Sequence, residues 1–68
     1  MTKEEIDHNF KYHPPKEGQP ELYFLIREKA KEIAHIIQIE VPDSREKSLA
    51  FTKLEEAVFW ANAGIARS

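Results

Sequence analysis

The chain has 68 residues, with ten Lys+Arg, twelve Asp+Glu, no cysteine and a formal net charge of −2. A domain this short buries only roughly 60% of the surface its unfolded chain exposes, and the absence of cysteine removes disulfides and thiolate-bound zinc as staples, so oligomerisation is the expected remedy. Interspersed charges with a small acidic excess disfavour a protein that coats DNA or RNA through phosphate contacts, and no apolar run approaches the roughly 20 residues of a membrane span.

The first element is a short helix over about 2–9. Met1-Thr2-Lys3-Glu4-Glu5 is polar and acidic, unlike a signal peptide, so the expectation is a soluble protein without an export signal. Thr2 and Glu5 have capping-box spacing. Ile6 and Phe10 are four apart and share one face. So short a helix does not persist in water alone and must dock on something.

A stiff loop follows over about 10–19, holding Tyr12-His13-Pro14-Pro15 and Gly18. Its prolines fix φ and remove donors. Such a loop presents Tyr12 and His13 with little left to order on binding.

The first long helix is expected over about 20–40, with Pro20 in its first turn. Leu22, Ile26, Ile33 and Ile37 recur at helical intervals, and Leu25, Ala30, Ala34 and Ile36 widen the stripe. Arg27, Glu28, Lys31 and Glu32 read as an opposite, solvated face. The helix stops near Val41-Pro42 because proline disfavours helix in the residue before it. Asp43 with Glu46 fits a capping box for the next helix, and Ser44 is the alternative cap.

The second long helix is expected over about 44–66, antiparallel to the first because the connection is short. Its stripe is Leu49 or Ala50, Leu54, Ala57, Val58, Ala61 and Ile65. Phe51, Phe59 and Trp60 cannot all lie on that stripe and point to a second contact surface. Ala57, Ala61 and Gly64 are small enough to admit another helix closely.

Little in this pattern suggests catalysis. His8, His13 and His35 lie on three different elements and lack metal-ligand spacing. Glu4-Glu5 and Glu55-Glu56 are adjacent, so their side chains diverge on a helix. The only glycines are Gly18 and Gly64, so there is no phosphate-cradling loop. Two helices do not build the cleft that an active site needs. Neither an enzyme nor a cofactor is expected.

The most informative cluster is aromatic and basic: Lys11, Tyr12, His13 and Lys16 on the loop, then Arg27 and Lys29 on the helix. Stacking faces beside cations suit nucleobases beside phosphates. The alternative is that Tyr12 packs on the hairpin and the cations serve solubility.

Phe10-Lys11-Tyr12-His13-Pro14-Pro15-Lys16, Gly18-Gln19-Pro20 and Ile26-Arg27-Glu28-Lys29-Ala30 resemble the phage anti-CBASS type 2 proteins. Pro42-Asp43-Ser44-Arg45-Glu46-Lys47-Ser48-Leu49-Ala50, Thr52-Lys53-Leu54-Glu55-Glu56-Ala57-Val58 and Trp60-Ala61-Asn62-Ala63 extend the likeness. The resemblance implies a sponge: a helical homohexamer that holds cyclic dinucleotides such as cyclic GMP-AMP between protomers, without cleaving them, in the cytoplasm of the infected bacterium. It implies that Tyr12 stacks on a base, that His13 and Pro14 line the same loop, and that Arg27, or alternatively Lys29, meets phosphate. It also implies a separate site for cyclic trinucleotides at Arg67. A near-two-fold ligand suits a pocket on a two-fold axis, to which each protomer gives the same residues. Without the resemblance, a non-enzymatic oligomeric helical module that binds proteins is the competing reading.

The expected fold is therefore all-α: one domain over 1–68 with a short N-terminal helix, a stiff proline-containing loop and an antiparallel two-helix hairpin that assembles into a helical homo-oligomer.

Overall fold

Capping residues and prolines divide the chain into three helices in a computed structural model that describes all of residues 1–68. They are α1 (Lys3–Asn9), α2 (Gln19–Glu40) and α3 (Arg45–Arg67). There are no strands, and α2 and α3 pair as a hairpin.

Each boundary has a local cause. The Thr2 hydroxyl accepts the Glu5 N–H at 3.1 Å and starts α1. Gly18 precedes α2 with φ +83°, a left-handed conformation that glycine adopts without strain. Pro20 lies in the first turn of α2, where its missing N–H leaves no gap. Val41, extended before Pro42, ends that helix while its N–H still reaches the Ile37 carbonyl at 3.0 Å. The cap of α3 is Ser44, not Asp43: the Ser44 hydroxyl accepts the Lys47 N–H at 3.1 Å. Asp43 lies one residue too early and instead pairs with the Lys47 ammonium at 3.1 Å.

The seam between α2 and α3 is narrower than the apolar stripes. Tyr23, Ile26, Ala30, Ala34 and Ile37 of α2 are half-buried, as are Ala50, Phe51, Leu54, Val58, Ala61 and Ile65 of α3. These positions step by three and four residues, the spacing of a two-helix seam. One partner helix covers only that strip. Leu22, Leu25, Ile33 and Ile36, expected in the core stripe, stay roughly half exposed or more. No hydrophobic residue is fully buried.

The molecule measures 46 × 29 × 11 Å, and its thin dimension is about the diameter of one helix. A hydrophobic core normally needs two packed layers, and this protomer has one. Its accessible surface is 5702 Å², roughly 1,300 Å² more than the surface scaling gives for a folded monomer of its mass. The short α1 has no buried residue; Ile6 and Phe10 remain exposed. The partner that so short a helix needs is therefore not its own hairpin.

The only two buried residues are polar, and they close the two ends of the hairpin. At one end, the Lys47 ammonium donates to the Gln38 carbonyl at 3.0 Å. No basic residue lies in the last turn of α2, so Lys47 brings the positive charge that suits a helix C-terminus. At the other end, Gln19 Nε2 donates to the Ile65 carbonyl at 2.8 Å. The Lys47 bond satisfies a terminal carbonyl of α2 that has no backbone partner, whereas the Gln19 bond adds to those the Ile65 carbonyl already accepts from the Ser68 N–H and hydroxyl.

Candidate functional site

Two regions carry the aromatic and basic residues: the loop over 10–18 and the two faces of the hairpin. The loop is fixed at both ends. His13 Nε2 lies 2.8 Å from the His8 carbonyl. A carbonyl only accepts, so Nε2 carries the proton and caps α1. The same contact brings the His8 and His13 rings to 4.6 Å between centroids, although the sequence sets them on separate elements. Beyond the rigid Pro14-Pro15 step, the Lys16 N–H donates to Gln19 Oε1 at 2.8 Å. Tyr12 therefore sits on a braced segment and is 79% exposed. It does not pack on the hairpin, which leaves the aromatic face free.

Arg27 and Lys29 are two residues apart, so they project about 200° apart around α2. They occupy opposite faces. Arg27 lies with Lys31, Leu54, Glu55, Phe59 and Asn62 along a shallow groove of about 440 Å³. Lys29 lies on the other side, beside Leu25, Ile33, Ala57 and Ala61, at a groove of about 410 Å³. Arg27 and Lys31 are exposed, in keeping with their reading as a solvated face, and they flank the α2–α3 groove. Glu28, read with them, is half-buried.

The electrostatics of the two cations differ. Lys29 Nζ meets Glu32 at 3.5 Å, whereas Arg27 makes no ion pair. The Arg27 guanidinium lies 5.6 Å from the centre of the Phe24 ring, a cation–π contact that leaves its donors available. Arg27 is thus the less committed cation and the better fork for a phosphate. Arg67 is exposed in the last turn of α3. Neither groove is lined by Tyr12, His13, Pro14 or Arg67. Within one protomer, the loop residues and the helix cations are not gathered into one pocket.

Some residues escaped the sequence reading. Phe24, three residues before Arg27, had the one-turn spacing that would have found it. Asn62 had a signal too, as a polar residue between Val58 and Ile65 on the α3 stripe. Its Oδ1 is buried without a hydrogen-bond partner, on the groove that holds Arg27. Gln19 and Lys47 had none, because their burial depends on where the opposite helix ends. No group of three or more His, Asp or Glu side chains comes together that could hold a metal ion, and no helix is long and apolar enough to cross a membrane.

A family model described as the Acb2/Tad1 hairpin domain matches residues 2–66. The chain belongs to the Acb2/Tad1 hairpin family. This is the anti-CBASS type 2 family that the loop and helix motifs resemble. Membership supports a phage anti-CBASS role with binding of cyclic-nucleotide signals in general. No curated protein and no solved structure matches the chain.

Proposed function

We propose that this protein sequesters cyclic dinucleotides such as cyclic GMP-AMP without cleaving them, and so denies CBASS effectors their signal in the cytoplasm of the infected host. The observation that carries the reading is Tyr12, 79% exposed on a loop braced at both ends. A ring held ready in this way stacks on a base with little further ordering. Base–aromatic stacking is worth about 1–3 kcal/mol per base.

His13 and Pro14 line the Tyr12 loop, and Arg27, with Lys29 as its alternative, faces phosphate. The pocket forms where protomers meet, because the loop and the cations share no groove in one chain. A two-fold pocket then supplies two tyrosines for two bases and two cations for two phosphates. We further propose a homohexamer, with Arg67 at a separate site for cyclic trinucleotides. The protein acts as a stoichiometric sink, so this reading requires no general base, metal or cofactor.

Titration calorimetry with a panel of cyclic di- and trinucleotides tests it. Heat with cyclic GMP-AMP, and intact nucleotide recovered after denaturing the complex, is the expected result. No heat with any dinucleotide at micromolar protein contradicts the proposal, and recovery of a linearised product makes the protein an enzyme instead. Phe59 and Trp60, 72% and 71% exposed, favour one alternative: a non-enzymatic helical module that binds proteins. That reading expects Tyr12→Ala to leave function intact.

A further inference from the structure

We infer that Gln19 is a positioning residue for the Tyr12 loop, a buried joint between that loop and the last turn of α3 on which dinucleotide capture depends. The inference rests on the dinucleotide reading above. Gln19 is only 6% exposed, and both ends of its amide are used. Oε1 accepts the Lys16 N–H, and Nε2 donates to the Ile65 carbonyl, each at 2.8 Å. The Lys16 ammonium adds a bond to the Ser68 carbonyl. These two side chains make all the hydrogen bonds that tie this end of the molecule to α3.

The mechanical consequence follows from what surrounds the joint. His13 binds the loop to α1, and Pro14-Pro15 carries that rigidity to Lys16. Residues 1–16 therefore behave as one arm that carries Tyr12. No residue of α1 is buried, so apolar packing does not hold the arm to the hairpin. The arm meets α2 at Gly18, the one residue with positive φ, where no Cβ restricts the backbone. The Gln19 N–H bond to the Lys16 carbonyl at 3.1 Å closes the turn across Gly18, and the Gln19 and Lys16 side chains fasten that turn to the end of α3, which stops the arm pivoting. A pivot leaves Tyr12 exposed but wrongly placed relative to the helix cations.

The test compares Gln19→Ala and Gln19→Glu with Lys47→Met, which removes the buried polar side chain at the opposite end. Dinucleotide affinity, melting temperature and amide hydrogen exchange are measured for each. Both Gln19 variants are expected to bind about tenfold more weakly. The Lys16 amide loses protection in Gln19→Ala but keeps it in Gln19→Glu, which retains the acceptor and replaces the donor to Ile65 with a charged oxygen that the carbonyl repels. Lys47→Met is expected to melt earlier yet bind within about twofold of the unaltered protein. Equal affinity losses in Lys47→Met and Gln19→Ala reduce Gln19 to a general stabiliser and overturn the inference. So does unaltered affinity in folded Gln19 variants. Absence of dinucleotide binding by the unaltered chain removes the function reading and the capture role together. Unchanged Lys16 exchange in Gln19→Ala overturns the joint alone.

Discussion

The ends of the hairpin and its faces are built on opposite terms. Each end is closed by one buried polar side chain, Gln19 or Lys47, bonded to a carbonyl in the final turn or turns of the neighbouring helix. Each face is apolar and open: Ile36 and Ile39 of α2 are 60% and 77% exposed, and Phe59 and Trp60 of α3 are 72% and 71%. The usual inside–outside order is inverted, with polar groups buried and large apolar groups in water. The ends are complete within one chain because a helix terminus needs only a few hydrogen bonds. A face is completed only by a second apolar surface, and α1, with no buried residue, does not supply it. Marginal stability is thus localised on the faces, while the ends set the length and register of the pair.

If the open faces are assembly surfaces, a charge placed on one should have the largest effect. Trp60→Glu is expected to give monomers by analytical ultracentrifugation and to lose dinucleotide binding entirely by calorimetry. Binding by a monomeric variant breaks the link between faces and function. Tyr12→Ala comes next, with affinity falling at least about thirtyfold if both bases of the ligand stack and assembly unchanged. Loss of assembly in that variant instead makes Tyr12 part of the interface.

Arg27→Ala and Lys29→Ala then sharpen the comparison by asking which face meets phosphate. Removing a charge-assisted hydrogen bond costs about 1.5–3 kcal/mol, so Arg27→Ala should weaken binding by roughly 10- to 100-fold. Lys29, already paired with Glu32, should change affinity by less than about threefold. The reverse order moves the site to the other face. Smallest is Ser44→Ala at a closed end, where loss of the cap costs about 1 kcal/mol. A melting curve should fall by roughly 4–8 °C with affinity unaltered.

The ends and the faces also differ in how far the sequence discloses them. The all-α hairpin is legible because local chemistry writes it: Thr2 and Pro20 mark helix starts, and Val41-Pro42 marks a stop. Asp43 and Ser44 are adjacent capping residues, and only geometry decides between them. The exposed aromatics are legible too, since Phe59 and Trp60 lie off the α3 stripe. The width of the seam is not legible, because periodicity counts apolar residues without saying how many have a partner. Leu22, Leu25 and Ile36 fit the helical period and are nonetheless exposed. Burial of Gln19 and Lys47 is set by contacts 46 and 9 residues away, which no local pattern encodes. At the site, the composition of Tyr12, His13, Arg27 and Lys29 is visible in the chain, and so is the two-residue spacing that sets Arg27 and Lys29 apart around α2, whereas the groove each one lines emerges once α2 has a partner.

The central claim is that the open faces are covered by further copies of the chain and that ligand is held where the copies meet. Native mass spectrometry with and without cyclic GMP-AMP tests it most directly, since one spectrum reports assembly size, bound mass and stoichiometry. The account predicts a homo-oligomer, expected as a hexamer, that gains whole numbers of intact dinucleotide. A folded monomer at all protein concentrations, with no added mass, contradicts it.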